Sequence, residues 1–195
     1  MTHVMRPIHP QAVPDDPSAV RWVVHTGTRE IVGEVVAAPD PLGALMRDRV
    51  ISLALLETEG IWVWLAPGNT WADYGHKVRE AILNSLDLDG WRINGDSADL
   101  LRLVANDVLL GDLADEIHAA DTTVEVVEND ARWLLLDLGQ LDSRDPAASA
   151  ELQQRIETAV RARYPSLRET SRVGGPQSSR FTLSNIPRRA LWTDE

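Results

Sequence analysis

Residues 50–65 read Val-Ile-Ser-Leu-Ala-Leu-Leu-Glu-Thr-Glu-Gly-Ile-Trp-Val-Trp-Leu. Two apolar runs, 50–56 and 61–65, flank a polar tetrapeptide ending in glycine, Glu57-Thr58-Glu59-Gly60. Runs of this length between turn residues read as strands, and the short loop joins them as a hairpin. Side chains alternate along a strand, so Ile61, Val63 and Leu65 point one way and Trp62 and Trp64 the other. A strand with apolar residues on both faces expects cover on at least one of them.

Upstream, 20–25 is a short β-branched apolar run, Thr26-Gly27-Thr28 a turn and 30–36 a second strand. The pair predicts a hairpin. Pro39-Asp40-Pro41 breaks it, with Asp40 as a helix N-cap and Pro41 at the first helical position. Leu42, Leu45 and Met46 give that short helix one apolar face. Downstream, Thr70-Trp71-Ala72-Asp73 resembles a capping box and opens a helix to about residue 86. Its buried stripe is Trp71, Tyr74, Val78, Ile82 and Leu86.

The polar stretch 87–95 reads as a linker, with Asp-Leu-Asp-Gly followed by Asn-Gly-Asp. Beyond it, leucines and valines from Leu100 to Ile117 recur at helical spacing, with a kink or break expected at Gly111. Strands at 122–128 and 132–138 flank Asn129-Asp130. A helix over 147–163 turns Leu152, Ile156, Ala159 and Val160 inward, Pro165 stops it, and 167–173 adds a last strand. The expected fold class is α+β, in two small domains: β-β-α-β-β-α over 18–90 and α-β-β-α-β over 96–173. An N-terminal arm, 1–17, and a flexible tail, 174–195, complete the chain. The element orders differ, so there is no internal repeat.

Composition narrows the function classes. Of 195 residues, 19 are basic and 30 acidic, a net charge of −11. That disfavours nucleic acid, which needs a basic face, and anionic membrane surfaces. There is no cysteine, which removes disulfides, thiolate nucleophiles, zinc fingers and cysteine-ligated clusters. No apolar run is long enough to span a bilayer, and residues 1–17, with four prolines, contain no signal-peptide core. The expected location is cytoplasmic.

Several stretches carry a family resemblance. Asp16-Pro17-Ser18-Ala19-Val20-Arg21-Trp22 is similar to the Asn-Pro-Asn-x-Leu-Lys-Phe entry of the N-terminal domain of Nfu/NifU-type iron–sulfur scaffolds. Pro41-Leu42-Gly43-Ala44-Leu45, then 50–56, Trp62-Val63-Trp64 and 71–86 resemble the rest of that domain. Val124-Glu125-Val126-Val127-Glu128, Trp133 to Gly139, Pro146 to Arg163 and Tyr164-Pro165-Ser166-Leu167 resemble the NifU C-terminal domain. The family carries Gly-Ala-Cys-x-x-Cys-Pro between second strand and second helix. Here the segment is Gly139-Gln140-Leu141-Asp142-Ser143-Arg144-Asp145-Pro146, so Asp142 and Asp145 occupy the cysteine positions, with one extra residue after Gly139. Carboxylates are hard donors and do not replace cluster thiolates. The resemblance therefore implies an accessory protein of iron–sulfur cluster assembly. It would act as an adaptor that binds assembly factors or client apoproteins and carries no cluster itself. The rival reading is a protein-interaction module unrelated to iron–sulfur work.

No cofactor, metal or catalytic residue is expected. Asp145 before Pro146 reads as a helix N-cap, with half of a hard-cation site shared with Asp142 as the alternative. His3, His9, His25, His76 and His118 lack ligand spacing and read as surface residues. No Gly-x-Ser-x-Gly elbow or phosphate loop occurs, and Lys77 is the only lysine. Trp62 and Trp64 are core if they lie on a helix-covered face and a partner surface if they do not. The tail, with Arg188, Arg189 and Trp192, is either a disordered end or a segment that docks on this protein's acidic surface or on a partner.

Overall fold

The structure is a computed structural model that describes residues 6–14, 16–27 and 32–174. The fold is α+β. Strands β1 (His9–Ala12), β2 (Ala19–Val23), β3 (Gly33–Ala37), β4 (Ile51–Glu57), β5 (Gly60–Leu65) and β6 (Arg92–Gly95) form one sheet in the order β1-β2-β5-β4-β3-β6. Every neighbouring pair is antiparallel. The 50–65 hairpin forms as its sequence predicts, with Glu57 opposite Gly60 and Leu56 opposite Ile61.

The expected hairpin between 20–25 and 30–36 does not form. β2 pairs with β1 and β5, whereas β3 pairs with β4 and β6. Two strands therefore lie between the supposed partners, because the 50–65 hairpin inserts into the middle of the sheet. The 1–17 arm contributes the edge strand β1, where Pro10 is tolerated because an edge leaves half of the ladder unpaired. The expected linker also contributes a strand. β6 pairs with β3 so closely that a Cβ on Gly33 would lie 2.2 Å from the Asn94 carbonyl oxygen. Gly33 has φ +147°, so both its conformation and its clearance favour glycine.

Helices α1 (Leu42–Arg47) and α2 (Trp71–Ser85) cover one face of this sheet. Leu42, Val78, Ala81, Ile82 and Leu86 pack there with Trp22, Ala54, Leu56, Ile61, Val63 and Leu65. The N-cap half of the capping box is present: Thr70 Oγ1 accepts from the Asp73 N–H at 3.3 Å, and it donates to Asp73 Oδ2 at 2.7 Å. Asp40 is not a cap. Pro41 sits at the cap position of α1 without a side-chain bond, and Asp40 pairs instead with Arg47 at 2.6 Å.

The second unit runs α3 (Ala98–Asp107), a π-helical turn (Val108–Asp112), α4 (Ala114–Ala119), β7 (Glu125–Asn129), β8 (Trp133–Asp137), α5 (Leu141–Arg144), α6 (Pro146–Arg163) and β9 (Glu169–Arg172). The break expected at Gly111 is this π-helical turn. β7 and β8 are antiparallel, and β8 and β9 are parallel. Leu134 and Leu136 pack against Leu100, Leu101 and Val104 of α3 and Leu152, Ile156 and Val160 of α6. That core does not stop at the unit boundary. Leu55 and Trp62 of the large sheet, with Val32 just before β3, belong to the same cluster. The face of β5 that carries the tryptophans is thus roofed by the second unit.

Candidate functional site: the junction between the two units

The junction is built from charged residues placed singly along the chain. Glu57 ends β4 and is fully buried. Its Oε1 accepts from Arg21 Nε at 2.7 Å, Trp62 Nε1 at 2.9 Å and Arg163 Nη2 at 2.9 Å, and its Oε2 accepts from Arg163 Nε at 2.7 Å. Arg163, the last residue of α6, also donates to Asp107 Oδ2 at 2.7 Å, and Arg21 Nη1 lies 3.1 Å from the same oxygen. Gln11 of β1 closes the ring, donating to Asp107 Oδ1 at 2.7 Å and accepting from Arg21 Nη1 at 2.8 Å. Arg21 stacks over the Trp62 ring, 5.6 Å from its centroid. Beside them Thr58 Oγ1 donates to the Ala162 carbonyl at 2.8 Å.

The two guanidinium groups are balanced by Glu57 and Asp107, with exposed Asp112 a further 3.8 Å from Arg163 Nη1, and each buried group has several partners, which is what a buried ion cluster requires. Burial works against the charge on Arg163. Glu57 and Asp107 outweigh it and hold its pKa above the usual arginine value. The next residue, Tyr164, has its pKa pushed up to about 12, first by burial and then by the nearby charge of Asp96. Its hydroxyl donates to the Ala131 carbonyl at 2.7 Å. Neither group is poised to exchange protons near neutrality.

A cavity of about 360 Å³ opens beside this cluster, lined by Gln11, Val13, Trp62, Leu103, Asp107 and Leu110 among others. Leu110 lies in the π-helical turn and is 72% exposed. π-Helical turns occur often at functional sites, because the extra residue re-aims the side chains around it.

The sequence-predicted residues scatter. Trp62 is 3% exposed and belongs to the core of the junction, where it also lines the cavity. Trp64 is half-buried on the same face and donates to Asp16 Oδ2 at 2.8 Å. That bond, with two from Ser18, holds the Asp16 carboxyl below the usual range, the Ser18 hydroxyl contributing most. Arg188, Arg189 and Trp192 lie outside the described residues. Asp145 caps α6, accepting from the Ala147 and Ala148 N–H groups at 3.1 and 3.0 Å. Asp142 pairs with Arg172 and accepts from Ser149 Oγ. The 139–146 segment does not fit an iron–sulfur cluster: it contains no thiolate, and both its carboxylates are engaged in holding α5, α6 and β9 together. His9, His25, His76 and His118 are exposed. Among the described residues no group of three or more His, Asp or Glu is placed to hold a metal ion. No helix among them is long and apolar enough to cross a membrane.

Sequence reasoning missed the cluster of Arg21, Glu57, Asp107 and Arg163. The one available signal was Glu57 itself, an acid directly abutting the apolar run 50–56. No family model, curated protein or solved structure matches the chain.

Proposed function

We propose that this chain is a non-catalytic adaptor that binds a protein partner at the junction cavity. The carrying observation is how the charged groups there are used. Arg21, Glu57, Asp107 and Arg163 bond to one another, leaving beside them a cavity walled by Val13, Trp62, Leu103 and Leu110 with the Gln11 amide at its edge. A rigid aromatic floor with an exposed leucine at the rim suits an apolar anchor from another protein. The cytoplasm is the compartment proposed with it.

An accessory role in iron–sulfur assembly is the second reading, favoured by the α-β-β-α-β order of the second unit with its antiparallel and parallel strand pairs. In that reading the partner is an assembly factor or a client apoprotein, and this chain carries no cluster. A photo-crosslinking residue in place of Leu110 tests both, with one in place of exposed Leu88 as control. One discrete partner captured from position 110 alone, and competed away by unmodified protein, supports the adaptor reading. Equal capture from both positions overturns it. Iron–sulfur assembly proteins as the captured species support the second reading.

A further inference from the structure

The sheet β7-β8-β9 has a second face that neither apolar cluster includes. On β8, Leu134 and Leu136 point into the core, so Trp133, Leu135 and Asp137 point the other way. Trp133 Nε1 reaches Ser171 Oγ at 3.3 Å, which places β9 residues 169 and 171 on the same outer face. On β7, Glu125 lies opposite Asp137 and Glu128 opposite Leu135, with Val127 as the extra residue of a bulge. The outer face is therefore a stripe of Trp133 and Leu135, edged by Val127 (49% exposed) and Val173 (44%).

Around that stripe stand four carboxylates, Glu125, Glu128, Asp137 and Glu169. None forms an ion pair among the described residues. Glu125 and Asp137 are cross-strand partners, and like charges placed so repel. An aromatic and aliphatic stripe ringed by acids fits an apolar segment that carries arginines.

This chain holds such a segment directly after the sheet. Residues 180–192, Arg-Phe-Thr-Leu-Ser-Asn-Ile-Pro-Arg-Arg-Ala-Leu-Trp, combine three arginines with five large apolar side chains and no acid. They begin eight residues beyond Arg172, the end of β9. Eight extended residues span up to about 26 Å, whereas three strands are only about 10 Å across. We propose that residues 180–192 dock on the outer face of β7-β8-β9, with their apolar side chains over Trp133 and Leu135 and their arginines against Glu125, Asp137 and Glu169. This surface is separate from the junction cavity and does not depend on the adaptor reading.

The absence of native cysteine allows a direct test in the full chain. Thr123→Cys and Ser184→Cys together supply the only two thiols for spin labels, and pulsed dipolar spectroscopy reads the distance between them. Docking in cis gives one narrow distance that survives dilution with excess unlabelled protein. A broad distribution overturns the proposal. A narrow distance that disappears on dilution also overturns it, by assigning the face to the segment of a second copy. Glu125→Gln combined with Glu169→Gln must broaden the distribution. An unchanged distance in that variant, with unchanged circular dichroism, means that the segment rests elsewhere and overturns the choice of face.

Discussion

Arg163 donates two hydrogen bonds to Glu57 across 106 residues of sequence, closing the last turn of α6 onto the end of β4. Both side chains are almost wholly withdrawn from water. Separating them leaves Glu57 with only Arg21 and Trp62, and takes from Arg163 its most buried acceptor, so each charge is under-partnered in an apolar setting.

Replacing one partner should therefore cost more than replacing both. Glu57→Leu or Arg163→Met alone should lose on the order of 3–5 kcal/mol of stability, the usual result of breaking a buried ion pair by removing one partner. The double variant should lose less than the sum of the two. Urea unfolding of the three proteins measures the coupling, and additive losses would show that the pair does not act as a unit.

The two units should unfold together. Trp62 and Leu55 belong to the second unit's apolar cluster, and the stretch once readable as a linker is strand β6. Calorimetry should show one transition, coincident by tryptophan fluorescence and far-ultraviolet circular dichroism. Residues 1–90 expressed alone should aggregate, since they lack β6 and expose the tryptophan face. Two resolved transitions would contradict this.

At the start of α6 the two aspartates differ in kind. Asp145→Ala removes an N-cap and should cost about 0.5–2 kcal/mol. Asp142→Ala leaves Arg172 and Ser149 without their acceptor and should cost about 1–3 kcal/mol. Neither loss should be recovered by divalent metal, and thermal melts with and without added cation would reveal any rescue.

Asp16 gives a pH dependence with a definite sign. Its pKa is depressed in the folded chain, chiefly by Ser18 and then by Trp64. A depressed carboxyl stabilises the fold above its unfolded value, about 3.9, and loses that contribution as pH falls through the folded value. The stability gap between wild type and Asp16→Asn should therefore be constant near neutrality and close below about pH 4. Denaturant melts from pH 6 to pH 2 test this, and a gap that widens on acidification would refute it.

What sequence made readable was local. The alternation over 61–65, the Thr70 cap of α2 and the Asp145-Pro146 cap depend on neighbours a few residues apart, and each is present as expected. Strand partnership is not local. The run at 20–25 has 30–36 as its nearest strand in sequence, yet Val20 pairs with Val63, because burying Trp62 and Trp64 under the second unit places β5 at the centre of the sheet. β6 was hidden because Arg-Ile-Asn-Gly has the composition of a turn, and only the glycine clearance at Gly33 admits it. The junction was hidden for a similar reason. Arg21, Asp107 and Arg163 each look like ordinary solvated charges until the fold brings them to Glu57.

The span between Glu57 and Arg163 also orders events during synthesis. At roughly 5–20 residues per second, β4 and β5 wait on the order of 5–20 s before α6 exists to cover them. During that interval Glu57 has Arg21 and Trp62 but lacks both bonds from Arg163, and the part of the tryptophan-side core that α6 supplies stays open to other surfaces. The residue that closes the junction is made 106 residues after the acid it binds, and the large sheet is a provisional structure until it arrives. Ribosome-arrested chains of stepwise length should show this directly, gaining protease resistance in the large sheet only once Arg163 has emerged.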